Sequence, residues 1–99
     1  MQDANMEARM VRAAAEAGDY ERAVTIAGHL VPEMAAQLGQ YQVQMALYEQ
    51  ARAEGNWRLA IRALADARLA AIAAGLPELE GVATDRLYTV VKAHELRRA

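Results

Sequence analysis

The chain has 99 residues, which is enough for one domain with a modest hydrophobic core and too few for two independent cores. Acidic and basic residues are interspersed and give a formal net charge of −2, which excludes the strongly basic composition typical of nucleic-acid-binding domains. Cysteine is absent, so disulfides, thiol catalysis and thiolate metal sites are excluded, and a reducing cytoplasmic location is expected.

Alanine contributes about a quarter of the residues, and Leu, Met, Glu, Gln and Arg are also frequent. These residues have the highest helix propensities, so the composition predicts an all-α protein. The longest apolar run, "LAAIAA", is far shorter than the roughly 18 residues of a membrane span, and the polar start "MQDANMEARM" does not resemble a signal peptide. We therefore expect a soluble cytoplasmic protein that does not bind membranes.

Glycines at positions 18, 39, 55, 75 and 81 divide the chain into segments with the apolar spacing of helices. The first predicted helix covers about residues 3–17 and ends at Gly18. The residues expected on its apolar face are Met6, Met10, Ala13, Ala14 and Ala17.

The second predicted helix begins after Asp19, a favourable N-cap, and extends to about residue 38. Pro32 interrupts it, because proline removes one backbone hydrogen bond and clashes with the preceding turn. We expect either a kink near residue 31 or two short helices. The apolar positions are Tyr20, Ala23, Val24, Ala27, Leu30, Val31, Met34 and Leu38.

The third predicted helix covers about residues 40–54, and the fourth begins after the N-cap Asn56 and ends at Gly75. In the third, Val43, Ala46, Leu47 and Ala51 are expected to face inward, flanked by Tyr41 and Tyr48. The inward positions of the fourth are Trp57, Ala60, Ile61, Leu64, Ala67, Ala71 and Ile72.

The fifth predicted helix begins at Pro77, which suits the first helical position, or later, near residue 84. Its apolar positions are Leu79, Val82, Ala83, Leu87, Val90, Val91 and His94.

Two short phrases in the chain share one pattern: "EAGDYERAV" at 16–24 and "AEGNWRLAI" at 53–61, offset by 37 residues. The glycines at 39 and 75 align at an offset of 36, so two markers recur at nearly one period. In each phrase glycine permits a left-handed turn, the next residue caps a helix, and an aromatic residue follows. This repetition predicts stacked helical hairpins, with a non-repetitive helical bundle as the alternative.

The phrase resembles the tetratricopeptide repeat, in which a Gly-Asp-Tyr-type turn precedes a small alanine. The resemblance covers nearly the whole chain, and the slightly longer unit is similar to the variant of bacterial regulators and kinesin-light-chain-like arrays. Its small-residue sites correspond to Ala14, Ala23, Ala51 and Ala60. The implied fold is a short right-handed solenoid of two and a half units, comprising 1–38, 39–74 and a capping helix at 75–99.

The resemblance implies a non-enzymatic scaffold or adaptor that binds a peptide or helix of a partner protein on a concave face. The first helices of successive units line that face in the family. The corresponding partner-binding residues here are Asn5, Arg12, Gln42, Met45, Glu49, Arg52 and Arg86.

Two other binding functions are compatible with the sequence. A helix-turn-helix across "QARAEGNWRLAIRALADAR", with Arg58, Arg62 and Arg68 on its second helix, would indicate a DNA-associated subunit. Recognition helices usually present polar, base-reading residues at their start, whereas this helix begins with Trp57 and an alanine-rich stretch. Val90, Val91 and Leu96 on the last helix would suit a homo-oligomer.

Catalysis and metal binding are not predicted. His29 and Glu33 are spaced as one pair of ligands, whereas zinc requires three or four. The carboxylates are scattered among arginines at helical spacing, and the chain contains no phosphate-binding glycine motif. We therefore expect no enzyme activity, no cofactor and no metal.

Overall fold

The computed structural model describes the backbone of residues 2–98 and the side chains of residues 5–97. This part of the chain forms five α-helices: α1 (Gln2–Glu16), α2 (Tyr20–Leu30), α3 (Ala35–Ala53), α4 (Trp57–Ala74) and α5 (Pro77–Arg98). One turn of 3-10 helix, Pro32–Met34, lies between α2 and α3. The predicted all-α class is confirmed, and the fifth helix takes the earlier of its two expected starts.

Each helix packs on the next one in the chain, and α1 also packs on α5. The result is a rod of 49 × 23 × 19 Å. The predicted solenoid pairs α1 with α3, whereas the main neighbours of α1 are α2 and α5. The contacts therefore establish an all-helical assembly, and its division into repeat units stays a prediction.

The glycine corners at residues 18 and 55 adopt the same left-handed conformation, with φ of +85° and +73°. Side chains other than glycine resist this conformation because Cβ crowds the backbone. Gly75 also has a positive φ, of +71°, and ends α4. The three helix ends predicted at these glycines are confirmed.

Both capping residues after the first two corners act as expected. The side chain of Asp19 accepts a hydrogen bond from the backbone N–H of Arg22, and that of Asn56 accepts one from Leu59, each at 3.2 Å. The backbone N–H groups of Asp19 and Asn56 donate to the carbonyl five residues earlier, at 2.9 and 2.8 Å. The two phrases therefore encode one local structure twice.

The predicted turn at Gly39 is wrong, because Gly39 lies inside α3. The chain leaves the helical conformation instead at Val31 (φ −135°, ψ 68°), directly before Pro32. Proline disfavours the helical conformation of the residue before it, so the break occurs here and α2 and α3 are separate helices. The unit boundary predicted between residues 38 and 39 consequently falls inside one helix.

The predicted inward face of α3 is confirmed for Ala51, which is buried, and is wrong for Val43 and Ala46. Val43 is 63% exposed and Ala46 is exposed, whereas Tyr41 and Met45 are fully buried. Residues two positions apart point to nearly opposite sides of a helix, so burying Met45 exposes Val43. The larger side chains occupy the core, and they follow the spacing Leu38, Tyr41, Met45 and Tyr48.

In α1, Met6 and Met10 are exposed, and Val11, Ala14 and Ala15 are buried. The predicted face is therefore confirmed for Ala14 and wrong for Met6, Met10, Ala13 and Ala17, all of which are exposed. The predicted faces of α4 and α5 are confirmed for Ala60, Leu64, Ala67, Ala71, Leu79, Val82, Ala83 and Val90, all of which are buried. The inward position predicted for Ile72 is wrong, because Ile72 is 45% exposed.

Candidate functional site

A chain of polar contacts joins α1, α2, α3 and α5. Its members, which we call the charged seam, are Arg12, Glu16, Tyr20, Glu49, Arg52, Asp85 and Arg86.

The seam begins at Arg12 on α1. Its Nε lies 2.6 Å from the Glu16 carboxylate one helical turn later, and its Nη2 lies 3.8 Å from the Asp85 carboxylate on α5. The hydrogen bond with Glu16 raises the pKa of Arg12 above its ordinary value. All three side chains are at least half exposed, so these ion pairs add little to the free energy of unfolding.

Tyr20, directly after the first corner, is the centre of the seam. Its hydroxyl donates a hydrogen bond of 2.5 Å to the Glu49 carboxylate on α3, which also accepts from Arg52 at 3.1 Å. The guanidinium of Arg86 lies 5.9 Å from the centre of the Tyr20 ring. Burial, and then the hydrogen bond to Glu49, raise the pKa of the Tyr20 hydroxyl above its ordinary value.

Arg86 also donates a hydrogen bond of 2.9 Å to the backbone carbonyl of Glu16, the last residue of α1. Carbonyls at a helix C-terminus have no partner within the helix and carry partial negative charge, so a guanidinium is well matched there. Arg86 thus joins the end of α1, the start of α2 and the middle of α5.

The structure brings together four of the seven residues predicted to bind a partner. Arg12, Glu49, Arg52 and Arg86 all belong to the charged seam. Asn5 is exposed and lines a recess beside the seam, together with Arg9 and with Arg12 of the seam, and Gln42 is half-buried. Met45 is fully buried, so its side chain is not available to a partner and it leaves the candidate set.

The seam holds three arginines and three carboxylates that pair within the molecule. Its charges balance, and a ligand would have to displace contacts that already exist. Sequence reasoning assigned Tyr20 a packing role and missed its hydrogen bond to Glu49. The helical spacings of Arg12 with Glu16 and of Glu49 with Arg52 were the available signals for the seam.

A second surface lies on the outer side of α3 and α4. No charged residue occurs between Glu33 and Glu49 in the sequence, so the exposed side of α3 carries no charge over four turns. Val43 on α3 is 63% exposed, and Leu69 and Ile72 on α4 are 60% and 45% exposed. We call the uncharged exposed side of α3 together with Leu69 the neutral face; it consists of Ala36, Gly39, Gln40, Val43 and Leu69.

A groove of about 290 Å³ joins the two helices of the neutral face. Its walls are mostly amide and apolar side chains. The lining residues are Gln37, Gln40, Gln44, Asp66, Leu69 and Ala70. Asp66 brings a carboxylate to the α4 side of the groove, so the charge-free part of this surface is the exposed side of α3. Exposed apolar surface is typical of protein contacts.

The arginines of the alternative DNA-binding function do not converge. Arg58 and Arg62 are exposed one turn apart near the start of α4. Arg68 lies six positions beyond Arg62, on another side of the helix, and donates a hydrogen bond of 3.1 Å to Thr84 on α5. The Trp57 ring that precedes them lies 4.7 Å from the guanidinium of Arg97.

Among the described residues, no three histidine, cysteine or acidic side chains lie close enough together to hold a metal ion. Within the same range, no helix is both long and apolar enough to cross a membrane. Comparisons of the chain with protein-family models, curated proteins and solved structures found no match.

Proposed function

We propose that this protein is a non-enzymatic interaction module that binds a partner protein through the neutral face. The observation that supports this most directly is the exposure of Val43 on the uncharged side of α3 and of Leu69 at the groove between α3 and α4. Leaving apolar side chains in water forfeits roughly 25 cal/mol for each Å² that a partner would cover. Most of the charged seam, by contrast, is engaged within the molecule.

The proposal retains the scaffold or adaptor role implied by the tetratricopeptide resemblance. It places the contact on the neutral face instead of the concave face that the resemblance implies. A short array of two and a half such units remains part of the proposal, supported by the two equivalent corners at Gly18 and Gly55. The concave-face contacts of Arg12 and Arg52 become secondary, because both side chains already pair with carboxylates.

Site-specific photo-crosslinking in the cells that make the protein tests the proposal. A photoreactive phenylalanine replaces Val43 or Leu69 in one set of variants and Arg52 or Arg58 in a matched set of exposed control positions. We expect protein adducts from positions 43 and 69 and none from 58. Adducts from position 52 alone would move the contact to the charged seam, and none from any position would refute the proposal.

A further inference from the structure

We propose that α1 and α2 form a lid that opens by local unfolding, while α3, α4 and α5 remain folded as a body. The charged seam is the latch that holds the lid closed. This conformational device goes beyond the proposed function and does not depend on it. Opening uncovers the side of α3 that carries Tyr41, which is nearly opposite the side that carries Val43.

The five helices pack in two groups. α1 packs more extensively on α2 than on α5, and α2 packs more extensively on α1 than on α3. The body is held by larger contacts, of α3 with α4 and of α4 with α5. Because α4 packs mainly on α3 and α5, its buried residues keep their neighbours when the lid opens. Regions joined to a domain by fewer contacts open at a lower free energy than the rest.

Among the described residues, the side-chain hydrogen bonds and ion pairs between lid and body all belong to the charged seam. The shortest are the hydrogen bond of Tyr20 to Glu49, at 2.5 Å, and that of Arg86 to the backbone carbonyl of Glu16, at 2.9 Å. Each such contact contributes modestly to stability. They can therefore break together without disturbing the body.

The helical backbone is already interrupted where the lid joins the body. α2 ends at Leu30, Val31 leaves the helical conformation, and α3 begins at Ala35 after one turn of 3-10 helix. α2 can therefore unfold without removing hydrogen bonds from α3. A detached lid does not stay helical, because α1 and α2 have only 15 and 11 residues and isolated helices of this length are marginal in water.

Tyr41 on the body opposes closure of the lid. Its ring packs edge to face against the Tyr20 ring of the lid, with 6.5 Å between the ring centres. The Tyr41 hydroxyl is buried and has no hydrogen-bond partner among the described residues. A buried hydroxyl that has lost water without gaining a partner destabilises the folded state. When α2 unfolds, Tyr20 no longer covers the ring and water can reach the hydroxyl, so the lid is poised to open.

Native-state hydrogen exchange at low urea concentrations tests the inference, because it measures the opening of each helix separately. We expect the most protected amides of α1 and α2 to exchange at least about tenfold faster than those of α4, through an opening with a smaller urea dependence. An opening of α1 and α2 that matches that of α4 in rate and in urea dependence would overturn the inference.

The two equivalent N-caps provide a matched pair of variants. Asn56→Ala removes the cap of α4, which stays folded in the open state. It should speed exchange in α4 about fivefold and leave α1 and α2 unchanged. Asp19→Ala removes the cap of α2, which unfolds in the open state and in complete unfolding, so it should speed exchange about fivefold in both groups. Equal acceleration of α1, α2 and α4 by Asn56→Ala would show that the chain unfolds as a single unit.

Two further variants test the latch and the poised state. Arg86→Met removes part of the latch and should speed exchange in α1 and α2 at least about fivefold, whereas Arg62→Met, on the exposed side of α4, should not. Tyr41→Phe should slow exchange in α1 and α2 by up to about fivefold, because the closed state no longer buries an unpaired hydroxyl. Unchanged exchange in the Arg86 variant, or faster exchange in the Tyr41 variant, would contradict the device.

Discussion

Arg86 and Tyr20 meet where three helices converge. The Arg86 guanidinium lies 5.9 Å from the centre of the Tyr20 ring while donating to the last carbonyl of α1. A cation over an aromatic face and a charged donor at a helix C-terminus each stabilise the folded chain. Because α5 lies far from α1 in sequence, this contact helps to hold the first and last helices of the chain against each other.

Replacing Arg86 by methionine keeps the packing of its stem and removes both interactions. We expect the free energy of unfolding to fall by about 1–2 kcal/mol, measured by urea denaturation. Arg62→Met, at an exposed position of α4, should change it by less than about 0.5 kcal/mol. Equal effects of the two variants would show that the Arg86 contacts contribute no stability.

The two glycine corners should respond alike to substitution. Gly18→Ala and Gly55→Ala each force a Cβ into a positive-φ conformation, so each should cost about 1–2 kcal/mol of unfolding free energy. Gly28→Ala is the control, because Gly28 lies inside α2 and a Cβ there meets nothing within 4 Å. That variant should gain up to about 1 kcal/mol, and a loss at position 28 would contradict the explanation.

The sequence was sufficient to predict these corners because their signals are local. A glycine, a capping side chain and the start of an apolar spacing all lie within a few residues, and tertiary packing does not need to be known. Pro32 marked the break between α2 and α3 for the same reason. The turn predicted at Gly39 was wrong because glycine permits a turn without imposing one. A helix that has already begun can continue through it.

The buried face of α3 could not be predicted with the same success. Alanine is frequent on every side of this helix, so Val43, Ala46 and Leu47 gave as plausible a stripe as Tyr41 and Met45. The choice depends on which side the neighbouring helices cover, which is a long-range property. The charged seam depends in the same way on residues such as Tyr20 and Glu49, which are distant in sequence.

Substitutions in α3 test the corrected face. Met45→Ala should destabilise the chain by about 2–5 kcal/mol because it leaves a cavity in the core. Ala46→Gln, at an exposed position, should change the free energy of unfolding by no more than about 0.5 kcal/mol. The originally predicted face would require the opposite order, since a glutamine at an inward position 46 would be overpacked.

Trp57, the sole tryptophan, reports on the contact between the start of α4 and the end of α5. The Arg97 guanidinium lies 4.7 Å from its ring centre and covers one side of it. Arg97→Ala should shift the tryptophan emission to longer wavelength while the free energy of unfolding falls by no more than about 1 kcal/mol. Arg58→Ala, next to Trp57 on the exposed side of α4, is the control. An unchanged spectrum in the Arg97 variant would contradict the contact.

Two buried tyrosines should make the protein sensitive to alkali. Burial raises the pKa of both the Tyr20 and the Tyr41 hydroxyl above the ordinary value of about 10. Above that pH the unfolded chain releases these protons while the folded chain retains them, so the free energy of unfolding decreases. Each ring contributes a slope of up to about 1.4 kcal/mol per pH unit.

Tyr41→Phe separates the two contributions, because the Tyr41 hydroxyl is buried and has no hydrogen-bond partner among the described residues. Removing it should cost little at neutral pH, or stabilise the chain by about 1 kcal/mol, since an unsatisfied polar group leaves the core. The variant should also lose about half of the decrease in unfolding free energy between about pH 9 and about pH 11. Urea denaturation at both pH values measures this, and an unchanged slope would mean that Tyr41 already ionises in the folded state.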